Sequence, residues 1–305
     1  MNILKSYAEG LKKSFDLVKI VNIIFGATFL PCLIFAAAFN STIANSFSDR
    51  PELNKLFSGF DYTVYNDFMN NYVDFVRPLL NQMLYSGLIY FLFTVFFAGG
   101  IIKVFEGSSL ISKPQTFFAG AARYFFRFLR LGVYILLIQF FLFVIITAGF
   151  MVFLERAVPT STEPKIFTVL VTWFFFQMLF SFFIWIISDY AKIIIVKENS
   201  KRVLKPLWYS IIFTVKKIHV TYPLYVIQML TTIVLYILYF TAESYIGSET
   251  TFSIILIFLF QQIFIWLRLF AKVWTLGSQF DLFTGYFAGK NRPFLTREML
   301  GDESI

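Results

Sequence analysis

The sequence predicts an all-α, polytopic integral membrane helical bundle. Six transmembrane helices are arranged as three two-helix repeats, each introduced by a cytoplasmic interfacial amphipathic helix, and three observations lead to this fold class. The first is composition: of 305 residues, 58% are hydrophobic and 21% aromatic, including 43 Phe, while only 14% are charged. A soluble domain carries roughly a quarter charged residues. The second is a set of six apolar runs at 20–39, 83–104, 129–153, 166–187, 218–240 and 253–273. At 1.5 Å of rise per residue, about 20 residues cross a hydrocarbon core roughly 30 Å thick. The third is self-similarity within the chain.

The first run follows a basic segment that contains Glu9 and Asp16. A secretory leader has a short and simply basic start, so the run is expected to be a retained span despite Ala36-Ala37-Ala38 after it. Pro31 lies within this span and predicts a kink there. The next connection, 40–82, carries Phe57, Phe60, Val64, Phe68, Tyr72, Phe75 and Leu79 at helical spacing, with Asp61, Asp67 and Asp74 between them. One or two amphipathic helices folded on the outer membrane surface are expected, a structural cap or a docking place for a periplasmic protein partner. The connections 155–165 and 241–250 are short turns. The membrane domain is 1–277, followed by a cytoplasmic tail at 278–305 that starts on the membrane and ends loose.

The repeat is read from three basic, aromatic segments, 7–15, 118–125 and 208–217, each running directly into a span that crosses in the same direction. Pro114 and Pro206 stand near the starts of the second and third, where a missing N–H costs nothing. In the second, Phe117, Ala121, Tyr124, Phe125 and Phe128 share a face, and Arg123, Arg127 and Arg130 spread away from it. The returning spans end alike, at Gly99 to Lys103, Ser188 to Lys192 and Arg268 to Lys272.

Charge sets the orientation. Of the 26 Lys and Arg, 21 fall on the side that holds both termini and five fall in the three opposite loops. The positive-inside rule places both termini in the cytoplasm of a bacterial inner membrane. The net charge of +8 is then explained by topology and by attraction to anionic headgroups of membrane lipids, and no nucleic-acid partner is needed.

Chemistry inside the bundle is sparse. Near the span centres no acid or base occurs, but Gln139, Gln177, Gln228, Gln261 and Gln262 form a candidate polar layer. Amide side chains both donate and accept, so they tie helices together or line a cavity for an uncharged or zwitterionic ligand. At the inner boundary Asp189, Lys192, Arg268, Lys272 and Lys103 form a candidate ion cluster or set of lipid phosphate contacts. His219 stands at the inner mouth of the fifth span, four residues before Pro223. One cysteine, Cys32, and one histidine exclude a His/Cys zinc site, and no phosphate loop, nucleophile elbow or dinucleotide fingerprint is present. The expectation is a chain with no catalytic residues, no metal and no cofactor. It is a lipid-interacting scaffold or the accessory subunit of a membrane complex, with a transporter or permease component for a small polar or lipid-like substrate as the alternative.

One stretch carries a family resemblance. Asp189-Tyr190-Ala191-Lys192, the hydrophobic Ile193 to Val196, Lys197-Glu198 and the amphipathic Leu204 to Ile218 resemble the corresponding stretch of uncharacterised six-span bacterial membrane-protein families. These include the membrane domain attached to some glycerophosphodiester phosphodiesterases. The resemblance implies a six-span fold with no settled activity. This chain has no soluble catalytic domain beside it, so no phosphodiesterase residue carries over.

Overall fold

The computed structural model describes residues 3–47, 62–71, 73–107, 113–157, 163–246 and 250–287. Among them there is no strand. The helices are α1 (Ile3–Phe15), α2 (Val18–Phe47), α3 (Tyr62–Asn71), α4 (Val73–Glu106), α5 (Lys113–Ala157), α6 (Glu163–Lys197), α7 (Leu204–Lys216), α8 (Ile218–Ile246) and α9 (Thr251–Phe287). Six of them are long and apolar enough to cross a membrane, at Val18–Ser41, Arg77–Glu106, Pro114–Val152, Phe167–Lys197, Ile218–Ile246 and Thr251–Tyr286. The chain is a multi-pass helical membrane protein.

The helices overrun the apolar runs. α5 is one unbroken helix of 45 residues, so the segment expected as a second, separate interfacial helix is continuous with the helix of the third span. Nothing in it stops a helix: Pro114 is the second residue of α5, and the stretch that follows has no further proline. α9 likewise continues past residue 277, where the sequence suggested a tail, and Ser278, Gln279, Phe280, Leu282 and Phe283 are all buried. In the outer connection, α3 and the start of α4 are helical. Phe57, Phe60, Asp61 and Tyr72 lie outside the described residues, as do 288–305.

The chain divides into two compact units, one of residues 22–94 and the other of residues 1–21 and 95–305. In the smaller unit Pro31 removes the N–H that would donate to the Ala27 carbonyl. Close by, Thr28, Pro31, Cys32, Phe35, Ser86, Ile89, Tyr90 and Phe93 line a cleft of about 180 Å³ between α2 and α4.

The larger unit has its core at one end, the basic one. There the last turns of α6 are enclosed on every side: Ile193, Ile194, Ile195 and Val196 are 0–2% exposed, and four consecutive residues sample the whole circumference of a helix. Tyr190, Phe213 and Phe283 pack against one another beside them, and Phe105 stacks on Phe280. α6 stops on a Schellman motif. Ser200 N–H donates to Ile195 O (3.2 Å) and Asn199 N–H to Val196 O (3.1 Å), with Asn199 at φ 47°, a conformation asparagine tolerates. Arg127 fixes this turn by donating to Asn199 Oδ1 (2.9 Å) and Ser200 O (3.2 Å).

Three close approaches join helices at this end. Gly100 lies against Phe117 and Gly120 against Lys103, which brings α4 and α5 together. Ser210 Oγ of α7 donates to Ile187 O of α6 at 2.7 Å. Gly10 of α1 lies on the backbone of Ser278 in α9, flanked by the buried Ser6 and Ser14. Tyr7 and Lys13 extend that last contact: Trp274 Nε1 donates to Tyr7 O (2.9 Å), and Lys13 pairs with Asp281.

Away from the basic end the same helices are bare. Phe174 and Phe175 of α6 are both 61% exposed, and Phe176, though its ring meets Phe150 of α5, is still 41% exposed. Contacts there are made within pairs. Trp173 Nε1 of α6 donates to Thr147 Oγ1 of α5 (3.2 Å), and Tyr239 of α8 stacks on Phe264 of α9 (4.5 Å). Hydrocarbon is the solvent for such surfaces.

The Gly10 approach yields a test. A side chain there meets the Ser278 backbone, and overpacking costs about 1–3 kcal/mol. Gly10→Leu is expected to lower the thermal midpoint in detergent by several degrees and to expose the N-terminal helix to protease. Gly149→Ala, where a Cβ meets nothing within 4 Å, is expected to leave the midpoint unchanged or raise it.

Candidate functional site

Four of the five inner-boundary residues come from two helices, α6 and α9, that reach the basic end side by side. On α6, Lys192 Nζ donates to Asp189 Oδ1 at 2.8 Å, an i,i+3 pair on one helical face. On α9, Arg268 and Lys272 are exposed and stand one turn apart. Lys272 interacts electrostatically with Lys192, Asp189 and Arg268, and the Tyr225 ring of α8 lies within the field of Asp189. Asp189 is spent on Lys192. Among the described residues neither Arg268 nor Lys272 has a carboxylate within ion-pair distance, and the four charges sum to an excess of positive charge at the edge of the apolar part of α9.

Lys103 does not join them. It pairs with Glu106 at 2.6 Å, and its aliphatic stem covers Gly120. Two further charges, Lys13 and Asp281, form a separate pair between α1 and α9.

The glutamines fall into two sets. Gln139 Nε2 donates to Ser181 Oγ (2.6 Å), whose own proton goes to Gln177 O (2.7 Å), so this set binds α5 to α6. Gln228 is 3% exposed and bonded at both ends of its amide between α8 and α9: Nε2 donates to Ser278 Oγ (3.0 Å) and Oε1 accepts from Thr275 (3.3 Å). Gln261 bonds Tyr239. Among the described residues no hydrogen bond joins one of the five glutamines to another. The Oε1 atoms of Gln139, Gln177 and Gln262 are buried without a partner.

Several residues that matter here are not evident from sequence periodicity. Ser6, Gly10 and Ser14 are small residues at i, i+4 and i+8, and that spacing is the one signal by which their close helix approach could be found in the sequence. Gln279 is 1% exposed with neither end of its amide bonded, and Tyr190 Oη is buried without a partner. Gln279 follows the last apolar run, so no sequence pattern marks it as a buried residue.

Glu198, beyond the end of α6, has Oε1 buried and unbonded. Burial pushes its carboxyl up to about 7, and Lys205 opposes the shift. The folded state therefore holds this proton at pH values where the unfolded chain has released it, and stability falls as pH rises from about 4.5 to about 7. Glu198→Gln is expected to flatten that part of the pH profile of the thermal midpoint. In a second measurement, Gln228→Leu is expected to cost about 1–2 kcal/mol of unfolding free energy in detergent, the upper range for an interhelical side-chain bond in a membrane protein.

No protein-family model matches the chain, and neither the curated proteins nor the solved structures contain a match to it.

Proposed function

We propose that this chain is a non-enzymatic, multi-pass protein of the bacterial inner membrane that engages anionic lipid headgroups at its cytoplasmic end and acts as a scaffold or accessory subunit of a membrane complex. The observation that carries the reading is the exposed pair Arg268 and Lys272, one turn apart on α9, with no carboxylate partner among the described residues and Lys192 within electrostatic reach. An unbalanced cation at the hydrocarbon boundary takes a phosphate oxygen as its counter-charge. Asp189 holds Lys192 toward the same place. Both termini lie in the cytoplasm in this reading, on the strength of the 21 Lys and Arg on that side.

The three-hairpin organisation belongs to the proposal too. It is supported by a recurring kind of contact: Gly120, Ser210 and Gly10 each bring a basic-end helix close to a returning helix, at Gly99 of α4, Ile187 of α6 and Ser278 of α9. The register differs from the one read from the lysines, because the contact on α9 lies beyond Lys272. The kinship with the membrane domain of glycerophosphodiester phosphodiesterases remains part of this reading, through Asp189 to Lys192. The aromatic packing of Tyr190, Phe213, Phe280 and Phe283 at the basic end favours a scaffold over a conduit.

One observation favours transport instead, the unbonded and buried Oε1 atoms of Gln139, Gln177 and Gln262. Purification in native-lipid nanodiscs followed by mass spectrometry separates the two. The proposal expects an anionic lipid class, with or without a stoichiometric protein, and loss of that lipid in Arg268→Gln/Lys272→Gln. A retained polar small molecule, together with uptake that disappears in Gln177→Leu while assembly stays intact, would sink it in favour of a transporter. Reporter fusions after Ser48 and Ile305 test the orientation, and an outward C-terminus would overturn it.

A further inference from the structure

α1 and α7 are built to one plan. Leu4, Lys5, Gly10, Ser14, Leu17 and Val21 stand in α1 and its continuation where Leu204, Lys205, Ser210, Thr214, Lys217 and Thr221 stand in α7 and its continuation, at a constant offset. The backbone breaks at the same place in both. Ile20 and Val21 N–H donate to Leu17 O (2.8 and 3.0 Å), and Val220 and Thr221 N–H donate to Lys217 O (2.9 and 3.0 Å). One face of each helix is buried: Ser6, Gly10 and Ser14 in α1, and Pro206, Ser210 and Thr214 among others in α7.

Each helix then has a second face, an apolar one, that no described part of the chain covers fully. In α1 it is Leu4, Ala8, Leu11 and Phe15, and in α7 it is Leu204, Trp208, Ile211 and Val215, both at i, i+4, i+7 and i+11. Leu4 and Phe15 are 63 and 61% exposed, although Phe15 touches Phe270, and Leu204, Trp208 and Val215 are 59, 59 and 53% exposed. Water would be a poor solvent for either stripe.

We propose that α1 and α7 are a matched pair of in-plane anchors, each gripping its neighbour helix with the small-residue face and seating the second, apolar face in the acyl–headgroup boundary of the anionic leaflet. Three features select lipid as the occupant. Each helix passes through a break of one or two residues into a spanning helix, α2 or α8, which holds it at the membrane boundary. Exposed Lys5, Lys12, Lys205 and Lys216 flank the stripes, where they reach phosphates. Trp208 is of the type favoured at that depth. α5 carries no equivalent break, so its basic start cannot turn into the plane, and the anchors number two among the described helices. The inference rests on the cytoplasmic placement proposed above.

The test uses the full-length protein in a Cys32→Ser background, in nanodiscs of phosphatidylglycerol and phosphatidylethanolamine with no other protein. Spin labels go at Ala8→Cys, Trp208→Cys and Lys205→Cys, all exposed positions whose substitution leaves the buried face intact. Expected is an oxygen-to-nickel-chelate collision ratio several-fold higher at residues 8 and 208 than at 205. Equal ratios would mean that the stripes face water, as a docking site for a soluble partner would, and end the proposal. Protection from both reagents at 208 would mean a protein contact such as a second copy, and would equally overturn it. Failure of the orientation shows separately: a membrane-impermeant thiol reagent added outside right-side-out vesicles would then reach the Lys205→Cys thiol while the collision ratios stay as expected.

Discussion

The enclosure of the last turns of α6 is the constraint on which the larger unit depends. Ile193 to Val196 meet protein on all sides, a condition that a single helix face never creates. Around them must stand α5, held by Tyr124 Oη on Val196 O, together with the aromatic side chains of α7 and α9. In lipid the hydrophobic effect offers little to bring helices together, so close approach and satisfied polar groups must supply the association. Gly10, Gly120 and Ser210 provide the first, and the Schellman turn clamped by Arg127 provides the second.

This arrangement splits the labour along each helix. The basic ends carry tertiary structure, and the remaining lengths carry membrane thickness, with pairwise ties such as Gln139 to Ser181 and Trp173 to Thr147. The Oε1 atoms of Gln139, Gln177 and Gln262 stay unbonded, but a polar side chain in the spans can also be spent on its partner helix. Gln228 illustrates the point, since its amide is consumed by Ser278 and Thr275. The cations are different. Lys103 pairs with Glu106 on the next turn and Lys13 with Asp281 on the next helix, whereas among the described residues neither Arg268 nor Lys272 has a carboxylate within ion-pair distance.

The sequence by itself determined the spanning helices and their number, because a run of about 20 apolar residues has no other stable place. It also determined that Asp189 and Lys192 would share a face, since i and i+3 are neighbours on any helix. Local rules of this kind do not depend on what lies across the interface. Helix ends were less legible. α5 and α9 run far past their apolar stretches because a helix continues until something stops it, and neither the basic start of α5 nor Ser278 contains a stop.

Only the tertiary structure decided which residues meet. That Gly10 rests on Ser278, that Lys103 turns to Glu106 and away from Lys272, and that the five glutamines sort into two sets are consequences of how distant helices approach. Sequence periodicity gives a residue its face and not its neighbour. For the same reason, although α1 and α7 read as amphipathic in sequence, only the fold shows that the face carrying Ser6, Gly10 and Ser14, or Ser210 and Thr214, is the buried one, which leaves the apolar stripe opposite in need of a solvent.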